Sequence, residues 1–101
     1  MGEFIKVAKK SDIPDDTGKK VEVKGLEIAL FKVNGKICAI YSVCPHQGGP
    51  LDEGGVTDNF VTCPWHGWEF NIETGACSFN DSIKVSVFKV KEEGNDIFIE
   101  V

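Results

Sequence analysis

The sequence predicts an all-β fold, a small antiparallel sandwich or barrel in one domain, residues 1–101. Three observations lead there. Short β-branched or alternating apolar stretches recur, Gly, Asn and Asp turn signals separate them, and no segment carries the period of an amphipathic helix. Phe4-Ile5-Lys6-Val7 is the first strand, and SDIPDDTG (residues 11–18) reads as a loop with one helical turn. Lys20 to Lys24 alternates, with Val21 and Val23 on one face. Leu26 to Val33 is a longer strand, and Asn34-Gly35 behind it is the strongest short hairpin signal a sequence offers. Ile37 to Tyr41 is the returning strand. Ile83 to Val90 is read as one strand whose alternation slips at Val87-Phe88, which predicts a bulge. Glu93-Gly94-Asn95-Asp96 turns it into Ile97 to Val101. The turn-rich stretch at about 43–82 reads as a subdomain inserted between two hairpins. Loops on a rigid scaffold are a usual place for a site.

Bulk properties narrow the function. A chain of 101 residues, 42% apolar and 27% charged, has the composition of an ordinary globular domain with a single core. No stretch approaches the about 20 apolar residues of a membrane span. The N-terminus shows neither a secretory h-region nor a myristoylation pattern, so a cytoplasmic protein is expected. A monomer is expected as well.

Charge is uneven. Residues 1–42 carry eight Lys against six acids, whereas 43–82 carry six acids (Asp52, Glu53, Asp58, Glu69, Glu73, Asp81) and no Lys or Arg. That segment is either a solvated acidic surface or a docking surface for a basic partner. Nucleic acid is excluded as a partner, because no basic patch exists to release its counterions.

The chemistry lies in the acidic segment. VCPHQGG (43–49) and CPWHGWEF (63–70) hold the only two histidines of the chain, each close behind a cysteine. Cys44, His46, Cys63 and His66 thus form Cys-x-His, sixteen residues, then Cys-x2-His. Two thiolates and two imidazoles suit a tetrahedral zinc or an iron-sulfur cluster. Zinc modules usually pair Cys with Cys and His with His; here each loop offers one of each, which suits two metal atoms bridged between loops. Pro45 and Pro64 stiffen the spans between ligands. Gly48, Gly49 and Gly67 let backbone N–H groups approach bridging sulfides. Cys38, on a predicted strand, and Cys77, in a predicted turn, read as free structural thiols.

CPH at 44–46 and CPWHGWEF at 63–70, followed by Thr74-Gly75, resemble the two cluster-binding loops of Rieske [2Fe-2S] proteins. The flanking strands and the Asn34-Gly35 hairpin match that layout too. The resemblance implies one [2Fe-2S] cluster, with Cys44 and Cys63 on one iron and His46 and His66 on the other, the latter near the surface. It also implies that Gln47, Gly48, Trp65, Gly67, Trp68 and Phe70 surround the cluster. Respiratory-type members carry a further cysteine in each loop, where this chain has Gly49 and Trp65. They carry hydroxyl donors where it has Trp68 and Phe70. The resemblance is therefore to the low-potential, ferredoxin-type branch.

That branch implies a soluble one-electron carrier, not itself an enzyme, between a flavoprotein NAD(P)H reductase and a terminal oxygenase. A small Rieske subunit beside the large subunit of an NAD(P)H nitrite reductase is an alternative. A zinc-stabilised interaction module is an alternative of another class.

Overall fold

The computed structural model describes residues 2–14, 18–44, 48–65 and 67–101. Antiparallel pairing dominates throughout. The centre is the hairpin β3 (Leu26–Val33) and β4 (Lys36–Tyr41), joined at Asn34-Gly35, both with positive φ (53° and 78°) as the mirror-image turn requires. β2 (Lys19–Val23) pairs with β3 through a second tight turn, Lys24-Gly25, with φ of 52° and 81°. A short strand, β10 (Val87–Phe88), closes the other edge, giving a sheet in the order β10-β4-β3-β2.

The central hairpin is apolar on both faces, and each face serves a different core. Ile28, Leu30, Ile37 and Ala39 face one way, against Ile97 and Ile99 of β12 (Asp96–Glu100). β12 lies between β1 (Phe4–Lys9) and β11 (Val90–Glu93) in a three-stranded sheet. Ala29, Phe31, Val33, Cys38 and Ile40 face the other way, into a buried cluster with Cys44, Leu51, Val61, Cys63, Phe70, Ile72, Cys77 and Val85. Continuous runs such as IALF and ICAI are what strands covered on both faces need.

The second core is roofed by a five-stranded sheet in sequential order: β5 (Gly55–Thr57), β6 (Phe60–Thr62), β7 (Glu69–Asn71), β8 (Ala76–Cys77) and β9 (Asn80–Lys84). The sequence reading of this region as turn-rich insertion underestimates it. Its strands are two to five residues long, too short for periodicity to register. Turn chemistry sets their pairing. The Asn71 side chain accepts from the Glu73 and Thr74 N–H groups (2.8 and 3.0 Å), and Gly75, at φ 80°, packs against the Val85 carbonyl.

One expectation is corrected. Residues 83–90 are not a single bulged strand: β9, β10 and β11 belong to three different sheets. The slip at Val87-Phe88 marks where the chain changes sheet. The expected helical turn is a 3-10 turn at Lys10–Asp12, and a second 3-10 turn at Leu51–Glu53 packs under β3.

Candidate metal centre

Two loops of equal frame carry the predicted ligands. The first is bounded by the bridge Val43↔Pro50 and the second by the β6–β7 pair Thr62↔Glu69, so each spans six residues, 44–49 and 63–68. Their backbone hydrogen bonds match one for one. The Cys44 N–H donates to the Gly49 carbonyl (2.9 Å), and the Cys63 N–H to the Trp68 carbonyl (2.7 Å). The Gly48 N–H donates to the Cys44 carbonyl (2.8 Å), and the Gly67 N–H to the Cys63 carbonyl (3.0 Å). Each loop is thus an α-turn that ends in a left-handed glycine, Gly48 and Gly67 both at φ 77°. A residue with a Cβ is strained there.

The loops meet through Gly49. A Cβ at position 49 would sit 2.8 Å from the Cys63 Sγ and 3.1 Å from Trp65 Cγ, so only glycine lets the two loops lie this close. Cys44 and Cys63 are both 2% exposed and share one buried cluster. Phe70 is fully buried in that cluster, and Trp68 packs against it half-buried. Trp65 is 56% exposed, and Gly48, Pro64 and Gly67 are exposed beside it. His46, Gln47, Pro45 and His66 lie outside the described residues. The structure therefore brings together the cysteine half of the predicted ligand set. Cys38 and Cys77 are also buried, and all four cysteines are thiols rather than halves of a disulfide. Cys77 sits on β8, not in the turn the sequence suggests.

Ser42 escapes sequence reasoning. It is the one buried polar side chain among the described residues. Its hydroxyl donates to Asp52 Oδ1 (2.6 Å) and accepts from the Asp52 N–H (3.2 Å), while the Leu51 N–H donates to its carbonyl (2.7 Å). Ser42 and Asp52 thus clamp the two ends of the first ligand loop. In the sequence Asp52 reads as one of six acids on a solvated or docking surface; in the fold it is scaffold. Glu73 has a cation partner, since Lys36 from outside the acidic segment lies 3.8 Å away. Glu53, Asp58, Glu69 and Asp81 remain exposed.

The donor set fits an iron-sulfur cluster. Two buried thiols stand in adjoining loops with parallel backbone turns, and Gly49 occupies a place where a Cβ would collide with one of the sulfurs. The model for the Rieske [2Fe-2S] domain matches residues 3–89. The chain belongs to this family. Its cofactor is one [2Fe-2S] cluster, which sets the zinc reading aside. The 3-phenylpropionate/cinnamic acid dioxygenase ferredoxin subunit of Shigella flexneri serotype 5b is 33% identical to this Rieske chain over 93 residues, covering 90% of it and 87% of the relative. Human apoptosis-inducing factor 3 is 35% identical over 89 residues, 87% of this chain, yet the chain spans only 15% of that relative's length. Among solved structures, a chain from the complex of reduced oxygenase and oxidised ferredoxin in carbazole 1,9a-dioxygenase superposes with a TM-score of 0.85 at 28% identity, covering 95% and 91% of the two chains. No helix among the described residues is long and apolar enough to cross a membrane.

Proposed function

We propose that this Rieske domain is a cytoplasmic, monomeric one-electron carrier between a flavoprotein NAD(P)H reductase and a terminal oxygenase. In this reading Cys44 and Cys63 hold one iron of the cluster, and His46 and His66 hold the other. The observation that carries it is the nearly end-to-end match to a dioxygenase ferredoxin subunit, 90% of one chain and 87% of the other. Larger relatives share only this domain.

The bound cluster takes up and releases one electron; the protein supplies the site and the surface around it. Burial of both thiols excludes water from the cysteine side. Exposed Pro64, Trp65 and Gly67 form a small rim on the second loop. A carrier must bind, transfer and leave, which suits an interface at the low end of size, about 1,200 Å² or less. Exposed Glu53 and Asp58 lie on the same acidic segment and favour encounter with a basic partner.

Stopped-flow electron transfer from a flavoprotein reductase tests the reading. The second-order rate should fall as salt rises, because exposed charges are screened beyond about 8–10 Å at physiological ionic strength. A Glu53→Lys, Asp58→Lys variant should be slower at low salt and keep its midpoint potential. Rates flat with salt in both proteins would leave the acidic segment a merely solvated surface. The ligand set is checked separately: His46→Ala and His66→Ala should each lose the EPR signal of the dithionite-reduced cluster.

A further inference from the structure

We propose that Phe79 is a positioning residue for the second ligand loop and acts through Trp68. The inference rests on the reading of residues 63–68 as a ligand loop. Phe79 is 61% exposed and belongs to neither buried core, so its ring contact with Trp68 is the packing it makes. Its ring meets Trp68 edge-to-face, with centroids 4.9 Å apart and planes at 89°.

The turn that carries Phe79 is held against the site from outside. Ser78 and Phe79 form the two-residue link between the paired residues Cys77 and Asn80. Neither has positive φ, so this is not the mirror-image turn that two-residue hairpins favour. Contacts with the neighbouring strand hold it instead. The Ser78 N–H donates to the Glu69 carbonyl (2.8 Å), and its hydroxyl to Glu69 Oε1 (3.4 Å). Glu69 and Trp68 are adjacent, so backbone, hydroxyl and ring all clamp the turn onto residues 68 and 69.

Trp68 passes this constraint on. Its carbonyl accepts the Cys63 N–H at 2.7 Å, closing the loop, and its side chain packs on the cluster of buried residues that includes Cys63. Phe79 therefore braces the residue that ends the loop, and through it the residue that begins it. The turn thus abuts the end of the second ligand loop.

The test uses the cluster-loaded protein and two variants, Phe79→Ala and Phe79→Tyr. The alanine variant should lose iron to a chelator about two- to tenfold faster, the range expected from removing one aromatic pair. It should also shift the midpoint potential and the visible circular dichroism of the cluster. The tyrosine variant, which keeps the ring edge, should match wild type in all three. Wild-type behaviour of the alanine variant, or equal changes in both variants, overturns the proposal. An alanine variant that fails to load while the tyrosine variant loads fully also supports the proposal; failure of both to load overturns it. None of these outcomes bears on the family assignment, which the iron and sulfide content of wild type tests by itself.

Discussion

Gly49 of the first ligand loop lies against the thiol of Cys63 in the second, so closely that a Cβ on residue 49 would come within 2.8 Å of the sulfur. The Trp65 ring stands on the same side, 3.1 Å from that point. Neither neighbour moves cheaply. Cys63 is fixed at both its N–H and its carbonyl, and Trp65 lies in the same turn.

Gly49→Ala should therefore force the loops apart. Overpacking of a fitted site costs about 1–3 kcal/mol. Iron and sulfide per chain should drop after purification, and the chemical denaturation midpoint of the loaded protein should fall. Gly55→Ala is the control, since nothing lies within 4 Å of a Cβ there. Equal cluster content in the two variants would show that the loops open without cost.

Ser42→Ala removes the hydroxyl that ties the two ends of the first loop. The carboxylate of Asp52 loses a short donor and its N–H loses an acceptor. A hydrogen bond to a charged group contributes about 1.5–3 kcal/mol. Asp52 is only half-buried, so water restores part of it, and a loss of about 1–2 kcal/mol is expected by denaturant unfolding. Ser42→Thr keeps the hydroxyl but adds a methyl at a site 1% exposed, so it should not restore full stability. Asp52→Lys should behave as a stability variant, unlike Glu53→Lys.

The contrast between Asp52 and Glu53 shows what is legible in the sequence. Both are acids in one short run, and only the fold makes one scaffold and leaves the other at the surface. The Asn34-Gly35 hairpin was legible because its signal is local: two residues whose backbone preferences decide the turn. The Cys-Pro-x-x-Gly spacing of the ligand loops was legible for the same reason. Their equal six-residue frames were not, because the Val43↔Pro50 bridge depends on Ser42, Leu51 and Asp52 meeting across the loop. The sheet changes between Asn80 and Glu93 were also hidden. Strands of two residues such as Val87–Phe88 take their identity from the partner, here Ile40 and Ala39, not from their own period.

Cys38 gives a pH dependence away from the ligand loops. Burial pushes its thiol pKa up; the Lys36 ammonium pulls it down, and the Glu73 and Glu92 carboxylates add to the rise. The folded state therefore prefers the protonated thiol. At neutral pH both states hold the proton and the group adds nothing to the slope. Above the ordinary thiol pKa the unfolded chain ionises first, so stability falls as pH rises toward the folded value. Unfolding free energy measured from neutral to alkaline pH should decline, and Cys38→Val should flatten the part due to this group. An identical alkaline limb in the variant would assign the decline to other groups.

The last prediction concerns the potential. His ligation places Rieske centres at roughly −150 to +300 mV, and position in that range depends on hydrogen bonds to the sulfurs. Phe70 is fully buried, paired with Val61 and Cys77, and packed in the core that holds Cys44 and Cys63. In the ferredoxin-type reading proposed above, Phe70 and Trp68 stand where higher-potential members place hydroxyl donors. With neither hydroxyl present, less charge is stabilised on reduction, and the midpoint should lie in the negative part of the range. Phe70→Tyr adds one hydroxyl inside this buried cluster, where a ligand sulfur is the acceptor the reading assigns. A hydrogen bond to a charged group contributes about 1.5–3 kcal/mol, so the one-electron midpoint should rise by no more than about 60–130 mV. Protein-film voltammetry of the two proteins measures both values. A wild-type midpoint well above zero would remove the low-potential assignment. An unshifted tyrosine variant with full iron content would show that residue 70 does not address a ligand sulfur.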